Sequence, residues 1–176
     1  MHRRAAMDVH PAPARDPRPV LYLDVDDVLV DWAGHTQKAA VGGRDFLIFA
    51  LEHFEVRWLT RRCPGGEMPE LLVEELAALH GLDPALLTPI RGLDWSEGGS
   101  KLNGIAWIEH LVLGRAFVWV EDENGVRDLE LRVLADAGLT ACYHHCNVST
   151  DPQSLVRALA RLAAGMGVAL ATSTPT

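Results

Sequence analysis

Short apolar runs alternate with longer stretches of helical period along this chain, and that alternation limits the folds open to it more than any other feature. The strand-like runs are VLYLDV (20 to 25), EVRWLT (55 to 60), RAFVWV (115 to 120) and LTACYH (139 to 144), with LLTPI (86 to 90) as a further short candidate. The helix-like stretches are RDFLIFALEHF (44 to 54), EMPELLVEELAALHG (67 to 81), SKLNGIAWIEHLVLG (100 to 114), VRDLELRVLADAG (126 to 138) and DPQSLVRALARLAAG (151 to 165). Gly81, Gly114, Gly138 and Gly165 read as helix closers, and Ser100 and Asp151 as N-caps, the latter followed by Pro152 at the first turn. Such alternation predicts an α/β fold: a three-layer, doubly wound parallel sheet with helices on both faces.

A chain of 176 residues, 48% hydrophobic, has the size of one domain with a real core. That domain is assigned to residues 20 to 168. Residues 1 to 19, with four prolines and no apolar period, read as a disordered tail, and 169 to 176 as a loose one. No apolar run reaches the roughly 18 residues that would cross a bilayer, and no apolar segment of signal-peptide kind follows the basic start. Three cysteines are too few and odd in number for a disulfide framework. The expectation is a soluble cytoplasmic protein. A net charge of −8 argues against broad attraction to nucleic acid or to a membrane, and favours a small or locally gripped substrate.

Parallel sheets of this kind bind ligands beyond the carboxyl ends of their strands. Asp24 and Asp26 follow the first run, Thr60 ends the second, Glu121, Asp122 and Glu123 follow FVWV, and Lys101 starts the helix before it. Carboxylates converging on one rim repel unless a cation or protons intervene. An all-oxygen set suits a hard divalent ion, magnesium above all, shared with a substrate phosphate. One carboxylate can then act as nucleophile, and a second, two residues away, can protonate the leaving oxygen.

The run Asp24-Val25-Asp26-Asp27-Val28-Leu29 after an apolar strand resembles the first signature of the haloacid dehalogenase (HAD) superfamily, D-x-D-x-[TV]-[LV]. Thr60 at the end of VRWLT resembles its second motif, Lys101 the third, and VWVEDE, with Glu121 and Asp122, the fourth. The set covers roughly residues 20 to 165, in order. The resemblance implies a Rossmann-like core in which Asp24 attacks phosphorus and Asp26 serves as general acid and then base. It implies that Thr60 binds phosphoryl oxygens, Lys101 balances charge, and Asp24, the Asp26 carbonyl, Asp122 and Glu121 hold magnesium, with Asp122 favoured over Glu121 as the direct ligand. Asp27 stands where many relatives carry Gly, and Glu121 where Asp is commoner. Only 35 residues lie between Asp24 and Thr60 and 40 between Thr60 and Lys101, which leaves no room for a folded cap. Among capless relatives the chain is similar to a bacterial group associated with RNA repair.

The expected function is therefore a magnesium-dependent phosphatase acting on a phosphorylated small molecule or a nucleic-acid end, with no membrane partner and with a homo-oligomer as one way to close the open site. The competing readings are a non-catalytic module that binds phosphate ends and a receiver-like signalling domain. Plainer roles stand beside each residue: a solvated turn for Asp24 and Asp26, a capping hydroxyl for Thr60, an exposed first-turn cation for Lys101 and an acidic helix flank for Glu121 to Glu123. Arg61 and Arg62 are either phosphate contacts or surface charges. Trp58, Trp107 and Trp119 read as core, and Trp32 and Trp95 as rim. The spacing in Cys142-Tyr143-His144-His145-Cys146 argues against zinc, since alternate strand residues face opposite ways.

Overall fold

The computed structural model describes residues 18–32, 36–97, 99–105, 114–122 and 128–170. Its elements in chain order are β1 (Val20–Leu23), a small antiparallel hairpin of β2 (Val30–Asp31) and β3 (Lys38–Ala39), α1 (Gly43–His53), β4 (Glu55–Trp58), α2 (Glu70–His80), α3 (Pro84–Leu87), β5 (Arg91–Gly92), α4 (Lys101–Gly104), β6 (Phe117–Glu121), α5 (Asp128–Asp136), β7 (Tyr143–His145) and α6 (Ser154–Met166). Five strands form one parallel sheet in the order β5-β4-β1-β6-β7. The fold is α/β, as the alternation predicts.

The central strand shows why. All four residues of β1 are buried, the signature of a parallel strand covered on both sides. Successive side chains point to opposite faces. Leu21 and Leu23 join a cluster with Phe46 and Leu47 of α1, Leu76 of α2 and Leu155 of α6. Val20 and Tyr22 join a second cluster with Leu102 of α4, Trp119 of β6 and Leu134 of α5. From β1 the chain builds outward through β4 and β5, then returns to lay β6 and β7 on the other side of β1. The reversal falls at the carboxyl ends of β1 and β6, the place where open α/β sheets take their ligands.

Several local expectations change. LLTPI is not a strand: Asp83 accepts a hydrogen bond from Ala85 N at 2.9 Å, Pro84 takes the first helical position, and α3 forms instead. The edge strand comes later, at Arg91–Gly92. There Gly92 packs so close to the loop after β4 that a Cβ would lie 2.5 Å from the Gly66 carbonyl oxygen. In LTACYH the first part is a 3₁₀ turn, Thr140–Cys142, and the strand starts at Tyr143. Gly165 lies inside α6, which Gly167 closes at φ 69°. Gln153, not Asp151, occupies the N-cap of α6, and Asp151 accepts from Gln153 N one turn earlier. Ser100 caps α4 as expected, accepting from Asn103 N at 3.2 Å, and Gly81 closes α2 at φ 62°. Trp107, most of the helix expected over 100 to 114, and nearly all of both tails lie outside the described residues. Among the described residues no helix is long and apolar enough to cross a membrane.

His80, at the end of α2, is buried against Gly43, where an added Cβ would come within 2.3 Å of its ring. Burial pushes its pKa down, against a hydrogen bond to the Leu29 backbone that pulls the other way. The unfolded chain therefore takes up a proton near the ordinary histidine value while the folded chain still resists it, so stability is lost as pH falls through and below about 6.5. Urea unfolding across that range should show this loss, and His80→Gln should be less pH-dependent there than the wild type; equal slopes would contradict it.

Candidate functional site

Backbone pairing brings the predicted residues together before any side chain is considered. Asp24 N donates to the Val120 carbonyl at 3.2 Å and Leu59 N to that of Leu23 at 2.9 Å, so the ends of β6, β1 and β4 lie side by side. Asp24, Thr60, Glu121 and Asp122 all follow or end these strands, and all are buried. Lys101, in the first turn of α4, is 3% exposed. An ammonium so deeply buried needs partners, and it has two: Asp24 Oδ2 at 2.9 Å and Glu121 Oε2 at 2.7 Å. The exposed-cation reading of Lys101 is excluded.

Glu121 is the most enclosed of the acids. Its Oε2 also accepts from the Trp119 indole at 3.2 Å, two residues back on the same strand face, while Oε1 is buried with no hydrogen-bond partner. Burial first, then the adjacent Asp24 carboxylate, hold the Glu121 carboxyl well above the usual range, and Lys101 only partly offsets them. Asp24, Glu121 and Asp122 each offer an oxygen within 4.8 Å of the others. Three carboxyl groups thus face one ammonium in a low-dielectric setting. This set can accept a hard cation, and the unpartnered Oε1 of Glu121 is an oxygen suited to it.

The turn after β1 is shaped by Asp27. It adopts a left-handed conformation, φ 56°, which glycine enters freely and aspartate tolerates. Asp27 N donates to the Val30 carbonyl at 2.9 Å, its own carbonyl accepts from Val148 N at 2.7 Å, and its carboxylate lies 2.5 Å from Ser149 Oγ. Asp27 is therefore a structural residue of the turn.

Asp26 stands apart from the buried acids. Its carboxylate accepts from the Arg62 guanidinium and, at 2.7 Å, from the Trp32 indole. Burial raises its pKa, but these hydrogen bonds and the Arg62 charge prevail and hold it below the usual aspartate value. Thr60 accepts from Arg62 N at 3.3 Å. The sequence reads Trp32 as a rim residue and Arg62 as a phosphate contact or a surface charge, and gives no sign that they meet on Asp26. Arg57 instead pairs with Glu55 on β4.

Other groups fall outside the site. Trp58 and Trp119 are core, as expected, whereas Trp95 packs against the second cluster with its indole nitrogen buried. Cys63 is buried near the site, and burial followed by the Asp24 charge raises its thiol pKa, so it is a poor nucleophile. Cys146 lies against Ser154, and among the described residues no metal-binding grouping includes it. A cavity of about 620 Å³ beside β5, lined by Gly66, Met68, Val73, Ile90, Arg91 and Asp94 among others, does not include the acidic cluster. No protein-family model, curated protein or solved structure matches the chain.

The buried ion group predicts a specific stability effect. Lys101→Met should leave Asp24 and Glu121 uncompensated and cost about 3–5 kcal/mol in metal-free urea unfolding. Lys101→Met with Glu121→Gln together should cost less than the sum of the two single changes. Strict additivity would contradict the coupling.

Proposed function

We propose that this chain is a magnesium-dependent phosphomonoester hydrolase of HAD type, working through an aspartyl-phosphate on Asp24. The observation that carries the reading is the buried group of Asp24, Lys101, Glu121 and Asp122 at the reversal point of a parallel sheet. Helices packed on both faces of that sheet are consistent with the three-layer core the motifs imply.

The roles follow from position. Asp24 supplies the attacking carboxylate oxygen, and phosphorus bonds to it as the bond to the leaving oxygen breaks. Lys101, already in contact with Asp24, offsets the negative charge that would otherwise repel an incoming phosphate. The Thr60 hydroxyl binds a phosphoryl oxygen. The Asp26 carboxylate, held by Arg62 and Trp32, takes a proton from the water that attacks the phosphorus of the intermediate as the bond to Asp24 breaks; the resemblance also assigns Asp26 the protonation of the departing oxygen. Magnesium, held by Asp24, Asp122 and Glu121 with the Asp26 carbonyl, would polarise the phosphoryl group and balance charge.

The segments between Asp24 and Thr60 and between Thr60 and Lys101 are taken up by the hairpin, α1, β4, α2, α3 and β5. Among the described residues they add no folded cap, so the reading favours an open mouth and a phosphate carried on a small molecule or a nucleic-acid end. Phosphate release from an aryl phosphate should require magnesium, and Asp24→Asn should lower it by roughly 10³-fold or more. Phosphate binding without turnover in the wild type would support the non-catalytic module instead.

A further inference from the structure

The residue assigned to proton transfer is held by two neighbours that come from different parts of the fold. Arg62 Nε lies 3.1 and 3.0 Å from Oδ1 and Oδ2 of Asp26, and Nη2 lies 2.5 Å from Oδ1. The Trp32 indole donates to the same Oδ1 at 2.7 Å, and the Arg62 guanidinium carbon sits 5.4 Å from the centre of the Trp32 ring. Trp32 is itself anchored, its main-chain N–H pointing at Ser149 Oγ, 3.4 Å away. Arg62 therefore bridges the loop after β4 to the turn after β1 and to the chain just beyond β2.

The geometry differs between the two carboxylate oxygens. Oδ1 takes contacts from Nη2, Nε and the indole, whereas Oδ2 meets Nε alone. The clamp thus fixes the carboxyl plane while leaving Oδ2 the less engaged oxygen. Without it, an aspartate side chain about a third exposed on a turn would sample several rotamers. A planar fork backed by an aromatic face fixes a carboxylate in a way the point charge of lysine does not.

We propose that Arg62, backed by Trp32, is a positioning residue that presents Oδ2 of the Asp26 carboxylate to the water that attacks the phosphorylated intermediate. The inference rests on the phosphatase reading. In that step Oδ2 takes a proton from water as the water oxygen bonds to phosphorus and the bond from phosphorus to the Asp24 carboxylate breaks, which frees Asp24. Replacing the Arg62 side chain leaves its main-chain donor to Thr60 in place, so a side-chain variant reports on the Asp26 contact.

The test is a double-mutant cycle on an alkyl phosphate with magnesium present, using Arg62→Met, Arg62→Lys, Asp26→Asn and the Arg62→Met/Asp26→Asn pair. Arg62→Met should lower kcat by about 10²-fold with little change in KM, and Arg62→Lys should recover only a small part. In the Asp26→Asn background the same change should cost less than about threefold. An equal loss in both backgrounds, or a rise in KM alone, would overturn the proposal. Arg62→Gln serves the same purpose if Arg62→Met does not fold. Independently of turnover, the Trp32 indole N–H resonance, assigned with Trp32→Phe, should move in both Arg62→Met and Asp26→Asn; an unmoved resonance also overturns it. A wild type that releases no phosphate with magnesium sinks the phosphatase reading itself, whereas an active wild type with additive losses sinks only the role of Arg62.

Discussion

A lysine ammonium 3% exposed to solvent is tolerable only if opposite charge lies against it, and Lys101 has Asp24 and Glu121 at 2.9 and 2.7 Å. That contact sets the rest of the site. It requires the end of β1, the end of β6 and the start of α4 to converge, and the parallel pairing of β1 with β6 achieves this through the backbone alone. It also leaves a charge imbalance, because Asp122 adds a third carboxyl to the same small volume. The imbalance is why the set can accept a cation, while burial first, and then the adjacent Asp24 carboxylate, drive the Glu121 carboxyl upward.

Around this centre the fold holds the site residues in two different ways. Asp24, Thr60, Glu121 and Lys101 are all nearly or fully buried on strand ends or a helix start, held by sheet pairing and by packing on both faces. Asp26 and Trp32 lie in more exposed connections, fixed by hydrogen bonds and a ring contact to Arg62. On the proposed reading, charge compensation belongs to the first group and proton transfer to the second.

Much of this was legible in the sequence because it is encoded locally. Alternating apolar runs locate β1, β4, β6 and β7, and charge placed just after each run locates the rim. The edge strand β5 was not legible: two residues, Arg91 and Gly92, carry no apolar period, and their place is fixed by a glycine-to-glycine approach across the fold. LLTPI misleads because its apolar content suits either element, and Asp83-Pro84, which decides for helix, lies just before it. The role of Asp27 follows from a backbone angle the sequence only hints at. The Arg62–Asp26–Trp32 contact spans 36 positions between arginine and aspartate, and no local pattern reports such a pair.

Phosphate carried on Asp24 during turnover is the direct mark of the proposed mechanism. Acid-quenched reaction mixtures, digested and examined by mass spectrometry, should show a hydroxylamine-labile phosphate on Asp24 in the wild-type protein with magnesium and none when the metal is removed. Magnesium-dependent turnover with phosphate on a different residue, or with no phosphorylated protein under conditions that preserve acyl phosphates, would contradict it.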